Sequence, residues 1–151
     1  MMNLETVDQI LDFAIKNEED AAEFYTNLAS KMDKPSMKKV FEEFAIEEKE
    51  HKAKLLAVKK GKLMVGSEKK VMDLKLSNNL VEIKLDANLN YQDALIVAMK
   101  AEKAAYKLYN DLASAADDAN LKSTLLNLAQ EEAKHKLRFE IEYDDFVLTE
   151  N

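Results

Sequence analysis

The chain has 151 residues, enough for one domain with a sizeable core, and it carries a net charge of −7 with 34% charged and 47% apolar residues. Two Gly and one Pro leave few turn formers, so a few long elements are expected rather than many short strands. The acidic balance argues against nucleic acid, the absence of Cys excludes disulfides, thiolate metal sites and thiol catalysis, and neither a signal-like N-terminal run nor a membrane span of roughly 18 apolar residues is found; a soluble cytoplasmic protein is expected.

Residues 4–32 read as a first helix. Leu4, Val7, Leu11, Ala14, Ile15, Ala22, Tyr25, Leu28 and Met32 step by three and four along one face, and Glu18 sits inside that stripe. Asp33-Lys34-Pro35 breaks it, with Pro35 suited to the first turn of the next helix. The second helix is expected over 36–60. Its stripe runs Met37, Val40, Phe41, Phe44, Ala45, Glu48, His51, Leu55 and Val58, and Gly61 is expected to cap its end.

Residues 61–89 form a crossover. Met72, Leu74 and Leu76, and again Val81, Ile83 and Leu85, alternate weakly around Ser77-Asn78-Asn79. A small hairpin is one reading. An extended strap along the bundle is favoured, on the expectation that the two helix pairs run parallel. The third helix, about 91–116, opens at Asn90 with Asp93 three residues on, and aligns Ala94, Leu95, Ala98, Glu102, Ala105, Tyr109 and Leu112. The fourth, about 119–143, aligns Leu121, Leu125, Leu128, Glu132, His135 and Phe139, and residues from Tyr143 to Asn151 are expected to be a loose tail.

The halves, about 4–60 and 90–143, repeat one another. Residues 14–52 align with 98–136 without a gap, and 15 of 39 positions are identical. Glu18, Glu48 and His51 recur 84 residues on as Glu102, Glu132 and His135. Each half thus offers one Glu on its first helix and Glu-x-x-His on its second. That is the ligand set of a dinuclear iron or manganese site inside a four-helix bundle. Glu18 lies about 14 residues before the first turn and Glu48 about 13 after it, so at ~1.5 Å per residue both stand roughly 20 Å from the turn. The second half repeats this arithmetic.

Four carboxylates gathered in a core would each cost several kcal/mol without compensation, and two divalent cations would cancel their charge. Imidazole mixed with carboxylate suits iron or manganese, with zinc less diagnostic. A lone Glu-x-x-His is commonly a solvated surface pair. Here the chain's two His both fall in the motif, at matched depth. Glu19, Glu23, Glu47, Glu50 and Glu131 read as outer-face charges. Tyr25 and Tyr109, two turns from Glu18 and Glu102, read either as hydrogen-bond partners of ligands or as core aromatics.

Four stretches carry a family resemblance: Ala14-Ile-Lys-Asn-Glu-Glu-Asp-Ala-Ala-Glu-Phe-Tyr25, Phe44-Ala-Ile-Glu-Glu-Lys-Glu-His51, Ala98-Met-Lys-Ala-Glu-Lys-Ala-Ala-Tyr-Lys-Leu-Tyr109 and Leu128-Ala-Gln-Glu-Glu-Ala-Lys-His135. They resemble the rubrerythrin and ferritin-like di-iron proteins. The resemblance implies an all-α, ferritin-like four-helix bundle with two iron ions. Glu18, Glu48, His51, Glu102, Glu132 and His135 would be the ligands, with Glu48 and Glu132 bridging. It also implies reduction of hydrogen peroxide or dioxygen, or else a ferritin-type ferroxidase. A bundle merely stabilised by metal is the non-enzymatic alternative. Rubrerythrins usually carry a rubredoxin domain with four Cys; this chain has none, so an external, rubredoxin-like electron donor is expected, and a homodimer. Where the family tends to have a further Glu three residues after the third-helix ligand, this chain has Ala105.

Overall fold

The computed structural model describes residues 3–62, 70–75 and 89–150. Four long helices dominate: α1 (Val7–Ser30), α2 (Pro35–Lys62), α3 (Tyr91–Ala115) and α4 (Ala119–Glu150). Two short strands, β1 (Asn3–Thr6) and β2 (Lys70–Lys75), pair antiparallel, with Asn3 opposite Lys75 and Leu4 opposite Leu74. The architecture is an all-α four-helix bundle carrying this small ribbon. No described helix is long and apolar enough to cross a membrane.

The ends of the helices follow local chemistry. The Thr6 side chain accepts from the Gln9 amide while the Gln9 side chain accepts from the Thr6 amide, a reciprocal cap that satisfies two otherwise orphaned donors. The helix therefore starts at Val7, not near Leu4 as expected, and the residues before the cap are committed to the ribbon. At α3, Asn90 Oδ1 accepts from the Asp93 amide at 2.8 Å, where the sequence pattern placed the start. Asp118 caps α4 in the same way through the Leu121 amide.

Two helix ends run longer than expected. Gly61 lies within α2 rather than beyond it. A glycine costs about 1 kcal/mol against alanine, too little to stop a helix that is already propagating. The expected tail after Tyr143 is instead the end of α4. It stays helical because it has packing partners: Tyr91 donates to Glu142 at 2.7 Å, and the Phe146 ring stands edge-on to Tyr91 at 5.2 Å.

The helices pack as two hairpins, α1 with α2 and α3 with α4. The hairpins do not run parallel as expected. Tyr25 reaches Glu102 while Tyr109 reaches Glu18, so rising numbers on α1 meet falling numbers on α3. An approximate two-fold axis across the bundle relates the repeats. It requires the crossover to join opposite ends: α2 closes beside Leu55 at one end of the core, and α3 opens with Tyr91 at the other. Residues 70–75 are extended, as the alternation of Met72 and Leu74 suggested, but their partner is β1. The alternative hairpin around Ser77–Asn79 lies outside the described residues.

Two apolar clusters fill the bundle, one toward each end. The first is mostly aliphatic, with Ile10, Leu11, Leu55, Leu112, Leu125 and Leu128 fully buried. The second is aromatic, around Tyr25, Phe41, Phe44, Tyr91 and Phe139. Burying each such side chain contributes about 1.5–3 kcal/mol. Between the clusters lies a layer of buried polar groups.

Candidate metal centre

The polar layer consists of Glu18, Glu48, His51, Glu102, Glu132 and His135, one or two from each helix, all buried. Helical spacing places them there. In α2 and α4 a Glu and a His three residues apart point to the same side, and in α1 and α3 a single Glu replaces an apolar residue of the buried stripe. Because each helix meets the layer near its middle, the ligand groups converge at one depth.

The donors form two overlapping sets. One ligand atom from each of Glu18, Glu48, His51 and Glu132 lies within 4.8 Å of the others, and the same holds for Glu48, Glu102, Glu132 and His135. Glu48 and Glu132 belong to both. His51 Nδ1 stands 3.0 Å from Glu132 Oε1 and 3.6 Å from oxygens of both Glu18 and Glu48. His135 Nδ1 stands 3.1 Å from Glu48 Oε1 and 3.5 Å from Glu102 Oε1. The imidazoles lie nearly parallel, 5.5 Å between centroids.

These approaches lack hydrogen-bond geometry. Eight buried side-chain atoms among the described residues have no hydrogen-bond partner, and all eight belong to these six residues. Native cores leave few such atoms, because each costs about 1–3 kcal/mol. A cluster of orphaned oxygens and imidazole nitrogens, facing one another, fits divalent cations. The donor set, carboxylate mixed with imidazole and no sulfur, suits iron or manganese.

Electrostatics give the same answer. Burial, and then the charges of Glu18 and Glu102, push the Glu48 carboxyl well above its ordinary range. Burial and then Glu102 and Glu48 do the same to Glu132. Without a cation the layer favours protons on the two shared carboxylates.

Tyr25 and Tyr109 are both core aromatics and hydrogen-bond donors to the buried carboxylates, with an exchange that helical spacing could not show. Each donates to the Glu of the other half, Tyr25 to Glu102 and Tyr109 to Glu18. Both are buried, and burial followed by the neighbouring carboxylate raises each phenol well above its usual range. The protons stay on the phenols, which act as donors.

Glu19, Glu23 and Glu50 lie on the exposed surface, Glu19 paired with Lys52 at 2.9 Å. Glu131, half-buried, pairs with Lys134 on the outer side of α4. Glu47 departs from the expected outer-face role. Its Oε2 lies 3.5 Å from His135 Nε2 and accepts from Arg138 at 2.9 Å, so it stands behind one ligand imidazole. The Phe44 ring also stands edge-on to His135, at 4.9 Å. Neither contact has a signal in helical periodicity, since each depends on how α2 is rotated against α4.

The sequence profile of the rubrerythrin family matches residues 9–143. Two solved structures are similar. One is a hypothetical protein from Pyrococcus furiosus, 27% identical, with a TM-score of 0.64 over 89% of this chain and 86% of that one. The other is a conserved hypothetical protein from Mycobacterium tuberculosis, 11% identical, with a TM-score of 0.65 over 91% of this chain and 89% of that one, a likeness of fold alone. No curated protein matches the sequence.

Proposed function

The chain belongs to the rubrerythrin family, and from that premise we propose that its six buried donors hold two iron ions in a centre that reduces hydrogen peroxide, or dioxygen, with electrons from a separate protein. The observation that carries this reading is the pair of overlapping four-donor sets sharing Glu48 and Glu132. Bound iron would supply the two electrons that peroxide reduction requires, one from each ion.

The chain's own residues prepare the site. Glu48 and Glu132 present oxygens to both positions, while Glu18 and Glu102 serve one each. Tyr109 and Tyr25 hold one oxygen of Glu18 and of Glu102, leaving the other oxygen free to ligate. Preset carboxylates need little rearrangement when a cation enters, which favours binding. The apolar clusters on either side exclude bulk water and strengthen each electrostatic contact.

These 151 residues hold no Cys to bind a rubredoxin-type iron, and we expect electrons from a rubredoxin-like or flavin-linked partner protein, and a homodimer in solution. The test is elemental analysis of protein from iron-supplied cells, then rapid mixing of the reduced form with peroxide and with dioxygen. Two irons per chain, one round of oxidation by peroxide, and steady turnover only after a donor is added are expected. One metal per chain at saturation would overturn the dinuclear assignment. Sustained NADH-driven turnover by the pure chain would overturn the need for a partner.

A further inference from the structure

The halves of the repeat agree at the buried donors and differ just outside them. On the outer α1/α2 face a cleft of about 330 Å³ lies between Ala22, Thr26 and Lys49, with Glu18 in its wall. A second cleft of about 410 Å³ adjoins it, sharing Thr26 and Lys49. Glu18 itself is buried, and its Oε2 is one of the orphaned atoms. His51, between Lys49 and Lys52 on α2, is the most exposed of the six donors at 8%, against 2% for His135. Of the six donors, Glu18 is the one that lines this cleft.

The repeat differs at the residues of this cleft. At the 84-residue offset Ala22 corresponds to Tyr106, whose ring is exposed, and Thr26 to Asn110, so a methyl on one half stands where the other half carries a phenol. Phe44, edge-on to His135, corresponds to Leu128 on the His51 side.

The rim suits a neutral visitor. At the mouth Glu19 and Glu23 are offset by Lys49 and Lys52, and the remaining carboxylate, Glu18, lies in the wall, so nothing here draws in an anion. The Lys52–Glu19 pair across the mouth is solvent-exposed on both partners and is screened by water, so it obstructs little. A water molecule occupies about 30 Å³ in the liquid, so the cleft has room for a molecule of peroxide size with its solvent.

We propose that the α1/α2 cleft is the route by which a small neutral oxidant, hydrogen peroxide or dioxygen, reaches the buried centre from the Glu18 and His51 side, and that the methyl of Ala22 sets its width. This inference rests on the redox reading of the centre, and its test does not require turnover. Because the chain has no Cys, Thr26→Cys introduces a unique thiol at the mouth, which benzyl methanethiosulfonate can plug after folding and iron loading. Asn110→Cys, treated alike, is the control on the equivalent face. The first readout is the rate at which nitric oxide, a small neutral ligand of ferrous iron, binds the reduced protein. The second is the rate of oxidation by peroxide.

Plugging Thr26→Cys should slow nitric oxide binding about tenfold, equivalent to one such factor in a rate barrier, with unchanged iron content and recovery on reduction of the mixed disulfide. Plugging Asn110→Cys should change nothing. Ala22→Tyr, which places the residue of the second half at this position, should reproduce the slow phase if it folds. Slow nitric oxide binding in a protein that peroxide never oxidises would retain the route and remove the redox reading. An unchanged nitric oxide rate in the plugged Thr26→Cys protein, or equal slowing by the plugged Asn110→Cys protein, would overturn the route.

Discussion

Tyr25 and Tyr109 tie each half of the repeat to the carboxylate of the other, so neither half presents a finished ligand set by itself. A hydrogen bond to a charged group is worth about 1.5–3 kcal/mol, so Tyr25→Phe or Tyr109→Phe should weaken metal affinity by roughly tenfold or more while leaving the saturating stoichiometry intact, as a chelator competition would read. The imidazoles should be less forgiving. His51→Ala and His135→Ala should lower the metal content of the purified protein, whereas Glu19→Ala and Glu23→Ala should leave it near wild type, since those side chains lie on the surface. Equal losses from both sets in elemental analysis would mean that the ligand face is misassigned.

The elements are held by a few local devices, and the Thr6–Gln9 box is the clearest. Removing such a cap costs about 1 kcal/mol, and Thr6→Ala should lower the melting temperature by about 2–4 °C for a chain of this length, without changing the donor geometry. The box was present in the sequence as Thr6-x-x-Gln9. The apolar step through Leu4 and Val7 masked it, because a helical stripe can be continued by chance into residues whose backbone is paired elsewhere. The end of α4 shows the reverse. Nothing local marks residues 143–150 as helix, and they are kept helical by Tyr91 on a different element.

Over the whole molecule, the cost of gathering four carboxylates appears in the metal-free protein as a dependence on pH. Glu48 and Glu132 have carboxyl groups raised above their unfolded range, so the folded state keeps protons that the unfolded chain gives up. Their contribution to stability is therefore most favourable below about pH 4.5 and declines as pH rises toward the raised folded values. Glu48→Gln removes this penalty at one site. In chelator-treated protein the variant should melt above wild type at pH 7, with the gap closing toward pH 4.5. With metal present the order should reverse, because the charge that was a burden becomes a ligand. A metal-free Glu48→Gln protein no more stable than wild type at pH 7 would contradict the electrostatic account.

Helix number and the convergence of Glu18, Glu48, His51, Glu102, Glu132 and His135 at one depth were legible in the sequence, because both follow from properties local to a helix. Spacing of three and four residues defines a face, the rise per residue defines a depth, and an 84-residue repeat applies both twice. Tertiary structure alone decided the relations between helices. The antiparallel order of α1 and α3, the exchange of tyrosines between halves, Glu47 behind His135, and the open α1/α2 face beside Ala22 all depend on how one helix is turned and directed against another. Periodicity does not carry that information: a buried stripe states that a residue is covered, and the packing of the other three helices determines what covers it.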